Sequence, residues 1–179
     1  RTCFNLAAFL LFTAGPKSDA GAFYAEAVDR WENLVQRHPA VPGFQARLAQ
    51  AYAAQANLMR HHDAAKALAV ADKAVALQKK LANQRPTPSH QADLARGYMA
   101  LAEVHRAASD PKQAAQAYQE AIRIRVKLAQ DRPGDATAQS ELAQAYAGLG
   151  LLHARARQPD QAAAAQKAAL QAWEKLTAK

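Results

Sequence analysis

The feature that most constrains the fold is an internal repeat of 46–48 residues. The pattern Leu-Ala-x-x-Tyr occurs three times, beginning at Leu48, Leu94 and Leu142, which are 46 and 48 residues apart. A second leucine recurs once per period, and a proline follows its first three occurrences. These marks are Leu34, Leu81, Leu128 and Leu176, with Pro39, Pro86 and Pro133. Self-similarity at a fixed period indicates stacked units, each of which buries its apolar face against a neighbour.

Composition decides what the units are made of. Alanine accounts for 48 of the 179 residues, whereas valine and isoleucine together number nine. Alanine is the best helix former, and strands favour β-branched and aromatic residues. We therefore predict an all-α fold.

Each period has room for two helices. The first is predicted over 43–60, 89–107 and 136–155, with a shortened copy over 2–14. The second is predicted over 18–37, 64–84, 111–131 and 160–177. Proline, aspartate and glycine lie between these segments, where helices start and stop, and Asp135 and the serine after Pro88 are expected to cap the helices that they precede. The result is about eight helices in one repeat domain with units 1–42, 43–88, 89–135 and 136–179.

Three rows of alanine recur at the same repeat positions. Because the helical face that they share steps by three and four residues, they are predicted to lie where helices touch. The rows are Ala20, Ala67, Ala114 and Ala162; Ala27, Ala74, Ala121 and Ala169; and Ala49, Ala95 and Ala143. Trp31, Arg125 and Trp173 share another position. Both tryptophans are expected in the core, and the Arg125 guanidinium is expected to reach water while its stem lies along the seam.

The order of residues within a unit resembles the tetratricopeptide repeat. Tyr146-x-x-Leu149-Gly150-x-x-His153 precedes Ala162 and Ala169 with that family's spacing. The unit before it has Tyr98-x-x-Leu101-Ala102-x-x-His105, then Ala114-x-x-x-Tyr118-x-x-Ala121 and Pro133. The usual period of this family is about 34 residues, so both helices are longer here. The long form is similar to repeat regions of large bacterial proteins, including those attached to serine/threonine kinases.

The resemblance implies a right-handed α-solenoid of four helix-turn-helix repeats that acts as a protein-interaction scaffold. In that family the first helices line a concave groove that holds a peptide or a partner helix. The groove positions carried over to this chain are Asn57, Arg60, Arg96, Met99, Glu103, Arg106, Gln144, Leu151 and Arg155. Asn5, Phe9 and Phe12 would extend the groove into the first unit. Arginine on a groove floor favours a carboxylate or an acidic peptide.

The net charge of the chain is compatible with functions other than peptide binding. The formal net charge is +8, and it is spread along the chain. A weak nucleic-acid-binding array, a structural spacer and a self-association module through uncapped ends are the alternative functions. No paired nucleophile and base, P-loop or metal motif is present, so we predict no enzyme activity, no metal, no cofactor and no small-molecule substrate. A cytoplasmic location is expected, although an extracytoplasmic segment of a larger membrane protein is the alternative.

Two further segments need an interpretation. Cys3–Ala14 is apolar enough to mimic a signal segment but too short to span a membrane, and the repeat register makes it the first helix. Since residue 1 is Arg1 rather than methionine, the chain is expected to be part of a longer protein. The Gly148-Leu-Gly150 segment resembles a nucleotide loop, yet no strand precedes it. It is predicted to lie inside a helix, where small residues let two helices touch.

Overall fold

The computed structural model describes the backbone of residues 17–177 and the side chains of residues 21–175. Every regular element in this part of the chain is a helix. The helices are α1 (Lys17–Arg37), α2 (Pro42–Met59), α3 (Ala64–Gln84), α4 (Pro88–Ala107), α5 (Pro111–Asp131), α6 (Ala136–Arg155) and α7 (Pro159–Thr177). Each differs from its predicted bounds by at most one residue at either end. The predicted helix over 2–14, and with it Asn5, Phe9 and Phe12, lies outside the described residues.

The helix starts follow the capping signals of the sequence with one correction. Asp63 and Asp110 accept hydrogen bonds from the backbone N–H three residues later, at 3.0 and 3.2 Å. Asp135 accepts two, from Thr137 and Ala138. At the start of α4 the cap is Thr87, whose Oγ1 accepts from the backbone N–H of His90 at 3.3 Å, and not the serine after Pro88. Pro88 occupies the first turn, where its missing N–H costs nothing.

The turns that end α4 and α6 share one geometry. Ser109 and Arg157 have φ of 61° and 56°, in the left-handed region. The N–H of the next residue then reaches back to a carbonyl of the last turn, from Asp110 to His105 at 2.9 Å and from Gln158 to His153 at 3.0 Å. This is the Schellman arrangement of a helix end. It turns the chain sharply, so that the second helix of the pair folds back on the first.

Helix packing follows chain order. Each helix contacts the next one along the chain, and α2 also contacts α4. The alanine rows lie in these contacts: Ala49, Ala95, Ala114, Ala121 and Ala143 are each 0% exposed. The other described members of the rows are buried as well, whereas the side chain of Ala20 is outside the described part.

Arg125 differs from its predicted environment. Its guanidinium does not reach water, because the side chain is 2% exposed and forms an ion pair with Glu141 of α6. One guanidinium nitrogen also donates to the carbonyl oxygen of Ala92 in α4 at 3.2 Å. The register position that holds a tryptophan in α1 therefore holds a buried cation in α5.

The two tryptophans occupy different environments. Trp31 is partly buried, and its ring centroid lies 6.1 Å from that of Phe44. Trp173 is 43% exposed, and Leu170 on the same helix is 57% exposed. The residues equivalent to Leu170 in α1, α3 and α5 are buried against a following helix. Trp173 therefore does not lie in the core, and the self-association expected of this end stays a prediction.

None of the helices α1–α7 is both long enough and apolar enough to cross a membrane.

Replacing Ala121 with leucine tests the close contact between helices. The Cβ position is fully buried, so three additional carbons must displace a neighbouring helix. Ala121→Leu is expected to lower the free energy of unfolding by about 1–3 kcal/mol. Ala76→Leu, the same change at an exposed position of α3, should alter it by less than about 0.5 kcal/mol. Chemical denaturation followed by circular dichroism measures both, and equal effects would show that helix contact at Ala121 is not the cause.

Candidate binding groove

The predicted groove residues lie on the first helices of the repeats or directly after one of them. Asn57 is in α2, and Arg60 follows its last residue; four more are in α4 and three in α6. We call the surface formed by these nine residues the first-helix surface. The structure brings some of them together directly, since α2 and α4 pack side by side.

The centre of the first-helix surface is the carboxylate of Glu103. Arg106 donates to its Oε2 from Nε at 3.1 Å and from a terminal nitrogen at 2.5 Å. The hydroxyl of Tyr118 donates to the other carboxylate oxygen. Arg60, which follows the last residue of α2, contributes a second positive charge. Three of the nine predicted residues thus form one charged cluster.

The electrostatics of Glu103 follow from these partners. Burial alone would raise the pKa of the Glu103 carboxyl, but the hydrogen bonds from Arg106 and Tyr118 and the charges of Arg106 and Arg60 outweigh it, and the pKa lies below its ordinary value. Burial, then the hydrogen bond to Glu103, raises the pKa of Tyr118. Glu103 is therefore an anion and Tyr118 a neutral donor at neutral pH.

Tyr118 reaches Glu103 from the second helix α5 and is 0% exposed. Its ring passes beside Gly148 in α6, so closely that a Cβ on Gly148 would stand 2.6 Å from a ring carbon. Gly150 in turn lies against α7, where its Cβ would meet Ala162 and Ala165 at 3.5 Å. The interpretation of Gly148-Leu-Gly150 as small residues at helix contacts is confirmed.

Arg96 belongs to a separate network at the other end of α4. It pairs with Asp93 on its own helix and lies 3.8 Å from Glu141 of α6. Glu141 also pairs with the buried Arg125, and Gln50 of α2 donates to Asp93 at 3.5 Å. Burial lowers the pKa of Arg125 despite the charge of Glu141. The network joins the first helices α2, α4 and α6, and the buried cation of α5 bridges the last two of them.

The remaining predicted residues form the rest of the surface. Arg60 donates to the backbone carbonyl of Asn57 at 2.9 Å. Met99 is partly buried against the core of α5 and α6. Gln144, Leu151 and Arg155 are exposed along α6, and Leu151 is 49% exposed. The surface therefore combines arginines with one accessible aliphatic side chain.

The sequence did not predict the residues that hydrogen-bond or form ion pairs with the side chains of this surface. Tyr118 was named only as a position of the repeat motif, and neither Asp93 nor Glu141 was singled out. One signal could have pointed to Tyr118: Gly148 stands where the two preceding units have Ala54 and Ala100. A glycine inside a helix costs stability unless something approaches closely. Among the described residues, no group of three or more His, Cys, Asp or Glu is placed to hold a metal ion.

Comparison with known proteins gives the fold but no family. No protein-family model matches the sequence, and no curated protein matches it. BtubC (BKLC) from P. vanneervenii is 17% identical with a TM-score of 0.67, over 91% of this chain and 59% of that one. A DHF58 filament is 17% identical with a TM-score of 0.58, over 98% of this chain and 91% of that one. The chain thus resembles solved helical structures, and spans 59% of the length of BtubC.

A third structure, MamA, is 17% identical with a TM-score of 0.35, over 91% of this chain and 96% of that one. A TM-score this low does not establish a common fold.

The buried pair of Arg125 and Glu141 is expected to stabilise the contact between the third and fourth repeats. Arg125→Met strands a partly buried carboxylate, which retains only Arg96, and should lower the free energy of unfolding by about 2–4 kcal/mol. The double variant Arg125→Met/Glu141→Met should lose less than the sum of the single variants, by about 1 kcal/mol or more. Strict additivity in chemical denaturation would show that the two charges do not interact.

The depressed pKa of Glu103 predicts a pH-dependent contribution to stability. A carboxyl whose folded pKa lies below its unfolded pKa stabilises the protein at neutral pH, and the contribution is lost as pH falls through the folded pKa. Glu103→Gln should therefore be less stable than the wild type at pH 7, and the difference should shrink between about pH 5 and pH 3. Urea denaturation at several pH values measures it.

Glu120→Gln is the matched control for Glu103→Gln, since Glu120 forms an exposed pair with Arg123 on the second-helix side. An exposed pair contributes little. A difference that is equally large for both variants would contradict the role given to the Glu103 cluster.

Proposed function

We propose that the chain is a right-handed α-solenoid of tetratricopeptide-like helix pairs and serves as a protein-interaction scaffold. The first-helix surface is then its concave groove, which holds a peptide or a partner helix with acidic groups. The side-by-side packing of α2 and α4 supports this proposal, since it places the first helices of successive repeats next to each other.

The observation that carries the proposal is the mixture of side chains on this surface. Arg60, Arg106 and Arg155 supply three cations, of which Glu103 neutralises one charge. Leu151 supplies an accessible aliphatic contact. Arginine recognises carboxylates through two parallel hydrogen bonds. A segment that carries an apolar side chain near one or two carboxylates fits both features.

The roles of the arginines are not equal. Arg96 is already engaged by Asp93 and Glu141, and Arg106 by Glu103. These two arginines fix the local geometry and contribute to the field. Arg60 and Arg155 are left as the cations that meet the partner, with Arg60 held in place by Asn57. Mechanistically the scaffold binds at equilibrium and performs no chemistry.

Selection from a displayed library of random peptides on the immobilised protein tests the proposal. The selected peptides should be rich in aspartate and glutamate near an aliphatic residue. Arg60→Gln/Arg155→Gln should weaken their binding at least about tenfold, and added salt should weaken binding to the wild type.

Lys66→Gln/Lys112→Gln is the matched control, because it removes the same net charge from exposed positions at the starts of second helices. It should leave the affinity nearly unchanged. Selected peptides that lack acidic residues, or that bind equally well to both double variants, would overturn the groove assignment. Tight binding of single-stranded RNA with a steep salt dependence would favour the nucleic-acid alternative instead.

A further inference from the structure

A second concave feature lies between α5, α6 and α7. It is a cleft of about 580 Å³, and none of its lining residues belongs to the first-helix surface. Its walls are mainly aliphatic and come from all three helices. The aliphatic side chains are Val126, Ala129, Leu142, Ala168 and Ala172, and Gln130, Gln139 and Gln171 add side-chain amides to the lining. A cleft of this size and lining is within the range of small-molecule sites, which hold an apolar body and orient it with a few polar groups.

The cleft arises from a difference between repeats. In the preceding seam, Ile124 of α5 is 5% exposed and packs against Leu94. The register places Ala172 of α7 at the position of Ile124, and Ala168 at the position of Glu120. The cleft that remains beside Ile124 measures about 270 Å³, less than half the volume at Ala172. The fourth repeat thus has Ala172 where the side chain of Ile124 fills the space between helices in the third repeat.

One polar atom in the larger cleft lacks a partner. Gln139 lines it and is 4% exposed. Its side-chain Oε1 has no hydrogen-bond partner within the described part of the chain. An unsatisfied buried acceptor costs about 1–3 kcal/mol, so a ligand that brings a donor gains from meeting it. Of the two equivalent residues, Gln91 in the smaller cleft is only half-buried, and Gln45 is buried with its Oε1 likewise unpartnered.

The rim of the cleft carries a positive charge. Lys175, which lines the cleft, is exposed at its α7 side. The aliphatic walls favour a hydrocarbon group, and the Gln139 oxygen can accept a hydrogen bond from an N–H or O–H group. The Lys175 ammonium favours an anion. A carboxylate cannot donate, so the donor and the anion must be different groups of one ligand.

We propose that this cleft binds a small N-acylated carboxylate, which goes beyond the interaction surface described above. The acyl chain lies against Ala168, Ala172 and Val126. The amide N–H donates to Oε1 of Gln139, and the carboxylate faces Lys175. An N-acyl amino acid has these three groups in this order.

Titration with N-octanoylglycine tests the assignment. The readout is the NMR spectrum of the ¹⁵N-labelled protein, in which the side-chain amide of Gln139 reports on the cleft. Saturable shifts of this amide and of the backbone amides around Ala172 are expected. N-octanoylsarcosine has the same acyl chain and charge but a methyl group in place of the amide hydrogen, so it cannot donate. It should bind about tenfold more weakly, and N-octanoylglycinamide, without the carboxylate, should bind with little dependence on salt.

Variants separate the three contacts. Gln139→Leu should remove the preference for N-octanoylglycine over N-octanoylsarcosine, whereas Gln91→Leu, the same change at the equivalent position one repeat earlier, should keep it. Ala172→Ile restores the residue type of Ile124 and should abolish binding of both compounds. Circular dichroism establishes that each variant is folded. If a variant does not fold, the comparison of the three compounds on the wild-type protein still tests the proposal.

Three results would overturn the proposal. One is equal affinity for N-octanoylglycine and N-octanoylsarcosine. Another is undiminished binding by folded Ala172→Ile. The last is a set of shifts confined to Arg60, Arg106 and Leu151, which would place the compound on the first-helix surface. Because the proposed peptide groove shares no residue with the cleft, each of the two sites can fail without the other.

Discussion

The structure depends on how closely its helices approach one another. Alanine occupies the contact rows, and Ala49, Ala95 and Ala143 are fully buried. Each such contact buries little apolar area, so stability comes from many dispersion contacts at short range. Because each helix contacts mainly its neighbours along the chain, the apolar face of one helix is buried by the helices next to it.

The same constraint explains where larger side chains are admitted. A seam that is tight enough for alanine accepts a bulky residue only opposite a smaller one. Tyr118 therefore stands beside Gly148, and Gln78 beside Gly97. Arg125 is accommodated because Glu141 pairs with its guanidinium and the Ala92 carbonyl accepts a hydrogen bond from it, although its Nε keeps no partner in the described part of the chain. Tyr118 and Arg125 extend from a second helix to the first helices and hold the carboxylates of Glu103 and Glu141 there. Side chains of the second helices thus help to determine the positions of charged groups on the first helices.

Much of the fold could be predicted from the sequence because it repeats. The helix bounds, the aspartate caps and the buried alanine rows follow from features that recur in each period. The exceptions are residues that differ between repeats at one register position. Arg125 was expected to reach water because periodicity places a side chain on a face but does not reveal the carboxylate opposite it. The Glu103–Tyr118 hydrogen bond and the cleft at Ala172 were missed for the same reason, since each depends on a pairing across a seam.

The buried cation of Arg125 also restricts which first helix α5 can pack against. The apolar stripes of the units are nearly interchangeable, so by themselves they would allow α5 to dock against the wrong first helix. The position of Glu141 is held by Asp93 in the preceding unit and by Arg47 in the one before. Docking α5 against α2 would therefore bury Arg125 against another arginine rather than a carboxylate. Arg125 therefore disfavours packing of α5 against α2, where no carboxylate stands at the equivalent position.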